Sequence, residues 1–322
     1  MPVDPSGSDA SCRMRTYKPP PSDFDPRTAS DAVLVRHGLP RRPSADGEPG
    51  LARIWERLFA RPVTFVEAEL SPAPSVPGRD RLRASQTHPS GWAGVTREKH
   101  ERAGSDFQEP ATFVFANLIV PHVYDVHPAD QDWNVGFWVG LDRDEMILQG
   151  GVAANLETES VFSFGDGVDW YAWVEWWLRE GDSPPSQVTN FPVSPGDTIS
   201  LLVCGTEPDF GLISMLNISK GYGTSIGVPA PTADIRLQGG SAEWIVEAPT
   251  ASPGLPYFSP VTFYDCLAGS AHELFHLEPG GIVTNITADT PSIDAPGPEI
   301  TRTWLLPPAA FMVFWEGFGE IF

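Results

Sequence analysis

A chain of 322 residues with a formal net charge of −21 is long enough for one large domain plus an extension. Its acid excess works against nucleic-acid and anionic-membrane partners. Thirty-four prolines and 30 glycines exclude a fold built on long helices and favour many turns.

No run approaches the ~18 apolar residues of a membrane helix. The first thirty residues show no apolar leader segment. Cys12, Cys204 and Cys266 are too few for a disulfide framework and read as free or buried thiols. The charge is unevenly spread. Residues 1–87 hold 13 Lys/Arg against 11 Asp/Glu, whereas residues 88–322 hold 8 against 31.

In chain order, residues 1–47 are rich in Pro, Ser, Asp and Arg without periodicity and read as flexible. Residues 49–60 form the one predicted helix. Leu51, Ile54, Trp55 and Leu58 fall at i, i+3, i+4 and i+7, and Pro49 suits the first turn. A strand-like stretch, 63–70, and a proline-punctuated linker, 71–77, follow. The shift in composition divides an extension, 1–85, from a body, 86–322.

The body reads as short strands at 113–120, 136–142, 146–149, 171–177, 198–204, 212–216, 242–247 and 261–264. Turn signals separate them at 165–167, 195–197 and 221–223. The greasy stretch 304–315, interrupted by Pro307-Pro308, reads as a closing strand. Many strands without intervening helices predict an all-β fold, an antiparallel two-sheet β-sandwich.

Alternation along these strands separates two kinds of face. Ala242, Trp244 and Val246 share an apolar face, and Glu243, Ile245 and Glu247 share the other. Phe137, Val139 and Leu141 oppose Trp138, Gly140 and Asp142. Ala172, Val174 and Trp176 oppose Tyr171, Trp173, Glu175 and Trp177. In 146–149 the polar end is the amide of Gln149. Greasy faces backed by aromatics, carboxylates and an amide suggest a sheet with a core side and a binding-cleft side. Alternation alone does not choose between Glu243 and Glu247.

His272-Glu273-Leu274-Phe275-His276 spells H-E-x-x-H, the zinc-peptidase word, which needs a helix to bring both imidazoles to one side. Gly269 before it and Pro279-Gly280-Gly281 after it leave room for barely one turn, so surface histidines and no metal are expected. The sequons at Asn217 and Asn285 carry little weight without a leader.

The words Trp138–Asp142 (WVGLD), Ile147–Gly151 (ILQGG), Tyr171–Trp177 (YAWVEWW), Phe191–Val203, Ala242–Glu247 (AEWIVE) and Leu255–Cys266 resemble, in order and spacing, the glutamic peptidase (eqolisin) family. Ser90–Gly94 resembles the family's opening tryptophan–glycine segment, and Ala116–Pro121 its second strand. The resemblance implies a jelly-roll, concanavalin-like sandwich and an acid endopeptidase acting on polypeptides without a cofactor. It implies Gln149 and Glu247 as the catalytic dyad, and Trp92, Trp138, Asp142, Trp173 and Glu175 as the substrate-binding lining.

It also implies a zymogen-like role for the extension and secretion, although no leader is visible; a monomer is expected. By that likeness the helix bearing Arg53 and Arg57 is expected to shield the cleft near neutral pH. Acid would then release it, with cleavage near residues 72–83. The chain departs from the family at Gly150 (there Thr), Ala153 (there acidic), Ala248-Pro249 (there Asp-Phe) and in its cysteines. Two other functions fit the residues: an inactive sandwich holding peptide or carbohydrate in an aromatic cleft, and a glycosidase using Glu175 and Glu247 as its two carboxylates.

Overall fold

The structure, a computed structural model, describes residues 14–73, 91–99, 108–124, 133–143, 145–156, 168–179, 184–248, 255–270, 272–287 and 299–317. Ser90, Pro249, the 165–167 turn and most of the 72–83 cleavage region lie outside them.

Two antiparallel sheets face each other. In order across the first sheet, the strands are Ile282–Thr284, Trp92–Glu98, Ser241–Glu247, Trp133–Leu141, Met146–Leu156, Val168–Leu178, Ser186–Val188 and Leu70–Pro72. Across the second they are Arg15–Thr16, Tyr222–Pro229, Phe210–Asn217, Thr198–Glu207, Phe113–Ile119, Val261–Gly269, Ala310–Trp315 and Thr301–Leu306. The expected sandwich is the fold observed.

Its core follows the predicted alternation. Ala242, Trp244, Val246, Phe137, Val139, Leu141, Ala172, Val174 and Trp176 all lie in the apolar cluster between the sheets. Trp244 is wholly buried, and its indole N–H donates to the Phe115 carbonyl of the opposite sheet. A buried indole needs such a partner.

The strands run longer than the sequence suggests. Met146–Leu156 continues through Gly150-Gly151, a pair that reads as an end signal. A side chain at either glycine would collide. A Cβ on Gly151 would meet the Phe137 carbonyl at 2.1 Å, and one on Gly150 would meet Ile213 Cγ2 at 2.7 Å. Close approach, not a turn, explains these glycines. The 304–315 stretch is a hairpin, Thr301–Leu306 with Ala310–Trp315, turning at Pro307–Ala309.

The extension departs furthest from expectation. Residues 14–47 are folded, with a strand at Arg15–Thr16 and a six-residue helix, α1 (Asp31–Arg36). The predicted helix, α2, spans Pro49–Leu58 with Trp55 as its buried anchor. It does not lie over the first sheet. Trp55, Phe59, Leu34 and Leu39 pack with Leu216 on the outer face of the second sheet, the opposite side of the sandwich. That corrects the expectation that α2 shields the cleft. The reason is apolar: Phe113, Phe115, Leu202 and Leu216 alternate with core residues there and need cover. Arg15–Thr16 and Thr64–Phe65 pair with Tyr222–Pro229, and Leu70–Pro72 pairs with Ser186–Val188 at the edge of the first sheet.

Candidate active site

The outward face of the first sheet carries Trp92, Trp138, Ile147, Ala153, Tyr171, Trp173 and Ile245 as a second apolar cluster. The strand registers put Gln149, Glu175, Glu243 and Glu247 on this same face; of the residues expected there, Asp142 lies past its strand's end.

Glu247 ends its strand opposite Trp92 on one side and Gly136 on the other. Its carboxylate accepts the Trp92 indole N–H (3.2 Å, Oε1) and the Trp138 indole N–H (2.9 Å, Oε2). The two indoles meet edge to face, their centroids 5.1 Å apart. Two donors aimed at one carboxylate suit its ionised form and fix its orientation.

Gln149 sits in register with Glu175, and its amide N–H donates to Glu175 Oε2 at 2.9 Å. Gln149 is 5% exposed and Glu175 0%. The Gln149 carbonyl oxygen is buried without a partner. Glu175 thereby decides which end of the amide faces which way.

Gln149 and Glu247 do not meet directly. Gln149 stands opposite Gly140 and Glu247 opposite Gly136 on the strand between them. These positions are four residues, or roughly 13 Å, apart along that strand. Trp138 lies midway, and across from it Gly151 is flanked by Trp138 and Trp173. Gly151 thus stands between two indoles, with the amide toward one end and the carboxylate toward the other, and Trp138 fills the space a side chain there would take. The Trp173 indole N–H is buried and has no acceptor. The Gly150-Gly151 pair after the predicted strand is the sequence trace of this close approach.

Asp142 leaves its strand with φ 64°. Its carboxylate accepts the backbone N–H groups of Gln238 (2.8 Å) and Gly240 (2.6 Å). It ties two strand ends together beside the face.

Glu243 shares the face but not the environment. It is 0% exposed, and neither carboxylate oxygen has a well-formed hydrogen bond. Burial, with Asp142 and Glu98 adding negative charge, pushes its carboxyl well above the ordinary range; Ser241 and Arg143 offset only part of this. A glutamate protonated in the fold is a poor base. Unfolding lets it ionise above about pH 4.3. Above that pH the unfolded state loses a proton that the folded state keeps, so stability falls as pH rises. Glu243→Gln is accordingly expected to raise Tm at pH 7 and to change it little at pH 3.5. Equal shifts at both pH values in thermal melts would contradict this.

The departures from the family resolve by face. Gly150 points into the core against Ile213 and Met215, away from the site. Ala153 is on the site face, opposite Gly136 in the row of Glu247, so that row lacks a second carboxylate. The H-E-x-x-H stretch is not helical; Leu274–Phe275 is a strand paired with Ala268–Gly269. Glu273 accepts the backbone N–H groups of Gln108 and Glu109, and His276 Nδ1 lies 3.0 Å from the Cys266 carbonyl oxygen. Among the described residues no group of three or more His, Cys, Asp or Glu could hold a metal. Nor is any described helix long and apolar enough to cross a membrane. Asn217 of the first sequon is fully buried, its amide bonded to the Pro192 carbonyl and Asp197.

The fold is a two-sheet β-sandwich with a carboxylate and an amide set among tryptophans on one face. The model of the peptidase A4 family matches residues 90–293, more than half of the chain, and the chain belongs to that family of glutamic peptidases, the eqolisins. It is a peptidase, with polypeptides as its substrate class.

Scytalido-glutamic peptidase with a transition-state-analogue inhibitor superposes at TM-score 0.52 and 20% identity, covering 70% of this chain and 98% of that one. The same peptidase with a peptide-based analogue gives 0.51, with the same identity and coverage. These two likenesses bear on the fold. Aspergilloglutamic peptidase from Aspergillus niger is 24% identical over 57% of this chain and 99% of its own, at TM-score 0.45. No curated protein matches the chain.

Proposed function

We propose that this chain is an acid endopeptidase in which Glu247 and Gln149 form the catalytic pair. The observation that carries the reading is the paired setting of the two groups. Two indole N–H groups hold the Glu247 carboxylate, and Glu175 holds the Gln149 amide on the same face.

In this reading an extended peptide lies across the face with its scissile carbonyl over Gly151. The ionised Glu247 takes a proton from a water whose oxygen attacks the carbonyl carbon. The resulting oxyanion accepts the second Gln149 N–H. Glu247, now an acid, gives its proton to the leaving nitrogen as the C–N bond breaks. The N–H of Trp173 is available to a substrate carbonyl. Trp92 and Trp138 act by orienting the base.

Asp142 and Glu175 are assigned positioning parts, Asp142 through the loop it ties and Glu175 through the amide. Because a primary amide does not titrate, the arrangement can work in acid. Glu243, neutral in the fold, burdens the protein least there.

The hydrogen bonding weighs against the glycosidase reading. Glu175 is 0% exposed and its carboxylate accepts the Gln149 amide N–H, so it is set to hold that amide rather than to act on a sugar. Incubating the full-length protein at about pH 3.5 with a denatured protein and, separately, with a β-glucan is the test. Peptide release alone is expected; sugar release, or neither product, would overturn the proposal.

For the extension, 1–85, we propose a role as a docked part of the body, 86–322, that also bears on the site. The Leu70–Pro72 strand widens the first sheet, and Ala73 packs against the tryptophan cluster. The contacts of α2 do not make it an acid-released shield.

A further inference from the structure

The row of residues that crosses Gly151 does not stop at Trp173. Trp173 stands opposite Gln187, and Gln187 opposite Ser71. Residues directly opposite in an antiparallel pair share a face. Trp138, Gly151, Trp173, Gln187 and Ser71 therefore form one line on the site face. The residues between them agree. Val188 and Leu70 turn to the apolar core between the sheets, whereas Ala73, two residues past Ser71, packs against the tryptophan cluster.

The far end of this line comes from the extension, and backbone ties fix it there. Leu70–Pro72 pairs with Ser186–Val188, and the Ala73 N–H donates to the Pro185 carbonyl at 3.0 Å. The Thr189 N–H donates to the Glu69 carbonyl at 2.9 Å, and the Glu69 N–H to Asn190 Oδ1 at 3.0 Å. Gln187 and Ser71 are half-buried, and among the described residues neither side chain has a hydrogen-bond partner. An amide and a hydroxyl so placed can bond a peptide backbone. Ala73 adds apolar surface, and the line carries no charge. Ser71 is three strand spacings from Gly151, roughly 14 Å, which an extended peptide covers in about four residues.

We propose that Gln187, Ser71 and Ala73 form an outlying substrate subsite. It holds an apolar residue about four positions from the scissile bond, on one side only. The extension thereby takes part in recognition and gives the enzyme a preference for long peptides over short ones. This rests on the reading above, in which the scissile carbonyl lies over Gly151.

The probes are a six-residue quenched fluorescent peptide, three residues on each side of the cleaved bond, and two peptides lengthened by three residues on one side or the other. For the full-length protein at about pH 3.5, one lengthened peptide is expected to gain about fivefold or more in kcat/KM, the other little. Gln187→Ala should take back most of that gain, the worth of one neutral hydrogen bond. Ser71→Arg should penalise Lys at the fourth position about threefold more than Leu there, which a purely structural role would not do. The same three peptides with an uncleavable reduced bond are titrated into full-length Glu247→Gln and followed by tryptophan fluorescence. One lengthened peptide should bind more tightly. Cleavage of all three at equal kcat/KM, or equal gain from both sides, overturns the subsite alone. No cleavage of any peptide overturns the dyad reading instead; the binding series then decides the subsite, and equal Kd values would overturn it.

Discussion

Glu247→Gln is expected to lower kcat for peptide hydrolysis by about 10²–10⁴, the usual contribution of a general acid–base, with the far-UV spectrum and Tm little changed. The substituted amide has nearly the same shape but can accept from only one of Trp92 and Trp138, its NH2 group facing the other indole N–H, and it cannot take a proton from water. Gln149→Ala should cost about 10²–10³, as for removal of one oxyanion donor. It also takes one hydrogen bond from Glu175, buried at the neighbouring position. Glu175→Gln leaves the backbone pairing intact but loses the carboxylate that orients the amide, so kcat should fall more than KM rises. Glu243→Gln should keep most of the activity. Wild-type turnover by either dyad variant would remove that residue from the chemistry.

Expressing residues 86–322 alone is expected to give a protein that associates or melts about 10 °C or more below the full chain. Fully burying one Leu- or Phe-sized side chain is worth about 1.5–3 kcal/mol, and in a chain of this size 1 kcal/mol moves Tm by about 2–4 °C. Truncation removes Leu34, Leu39, Trp55 and Phe59 and uncovers the sheet residues beneath them. It also removes three strand pairings.

Charge plays the smaller part in this docking. Arg57 reaches Asp265 at 2.6 Å, but its side chain is 61% exposed, and such pairs contribute about 0–1 kcal/mol. Strand pairing and apolar contact do not depend on charge, so the full chain should stay docked at pH 4. A monomeric truncated form with an unchanged Tm in calorimetry would contradict this.

The sandwich was legible because alternation is a local property. Ala242, Trp244 and Val246 could be separated from Glu243, Ile245 and Glu247 without knowing their neighbours, and the structure keeps both sets. Which glutamate can serve as a base was not legible. The difference between Glu243 and Glu247 comes from burial and from indoles supplied by two other strands.

Strand ends failed where glycine stands for close approach. Gly227, in the strand that follows the expected 221–223 turn, has Phe210 Cζ 2.4 Å from where a Cβ would lie. The fold of residues 14–47 was illegible for another reason. The six residues of α1 are too few for a period, and Leu34 and Leu39 are held by residues far along the chain.

The most direct measurement of the central claim is kcat/KM of the full-length wild type on a quenched fluorescent peptide between pH 2.5 and 7.5, with and without a chelator. The account predicts activity that rises as Glu247 ionises, peaks well below neutrality and is untouched by the chelator. An optimum near pH 7, or activity that needs metal, would contradict it.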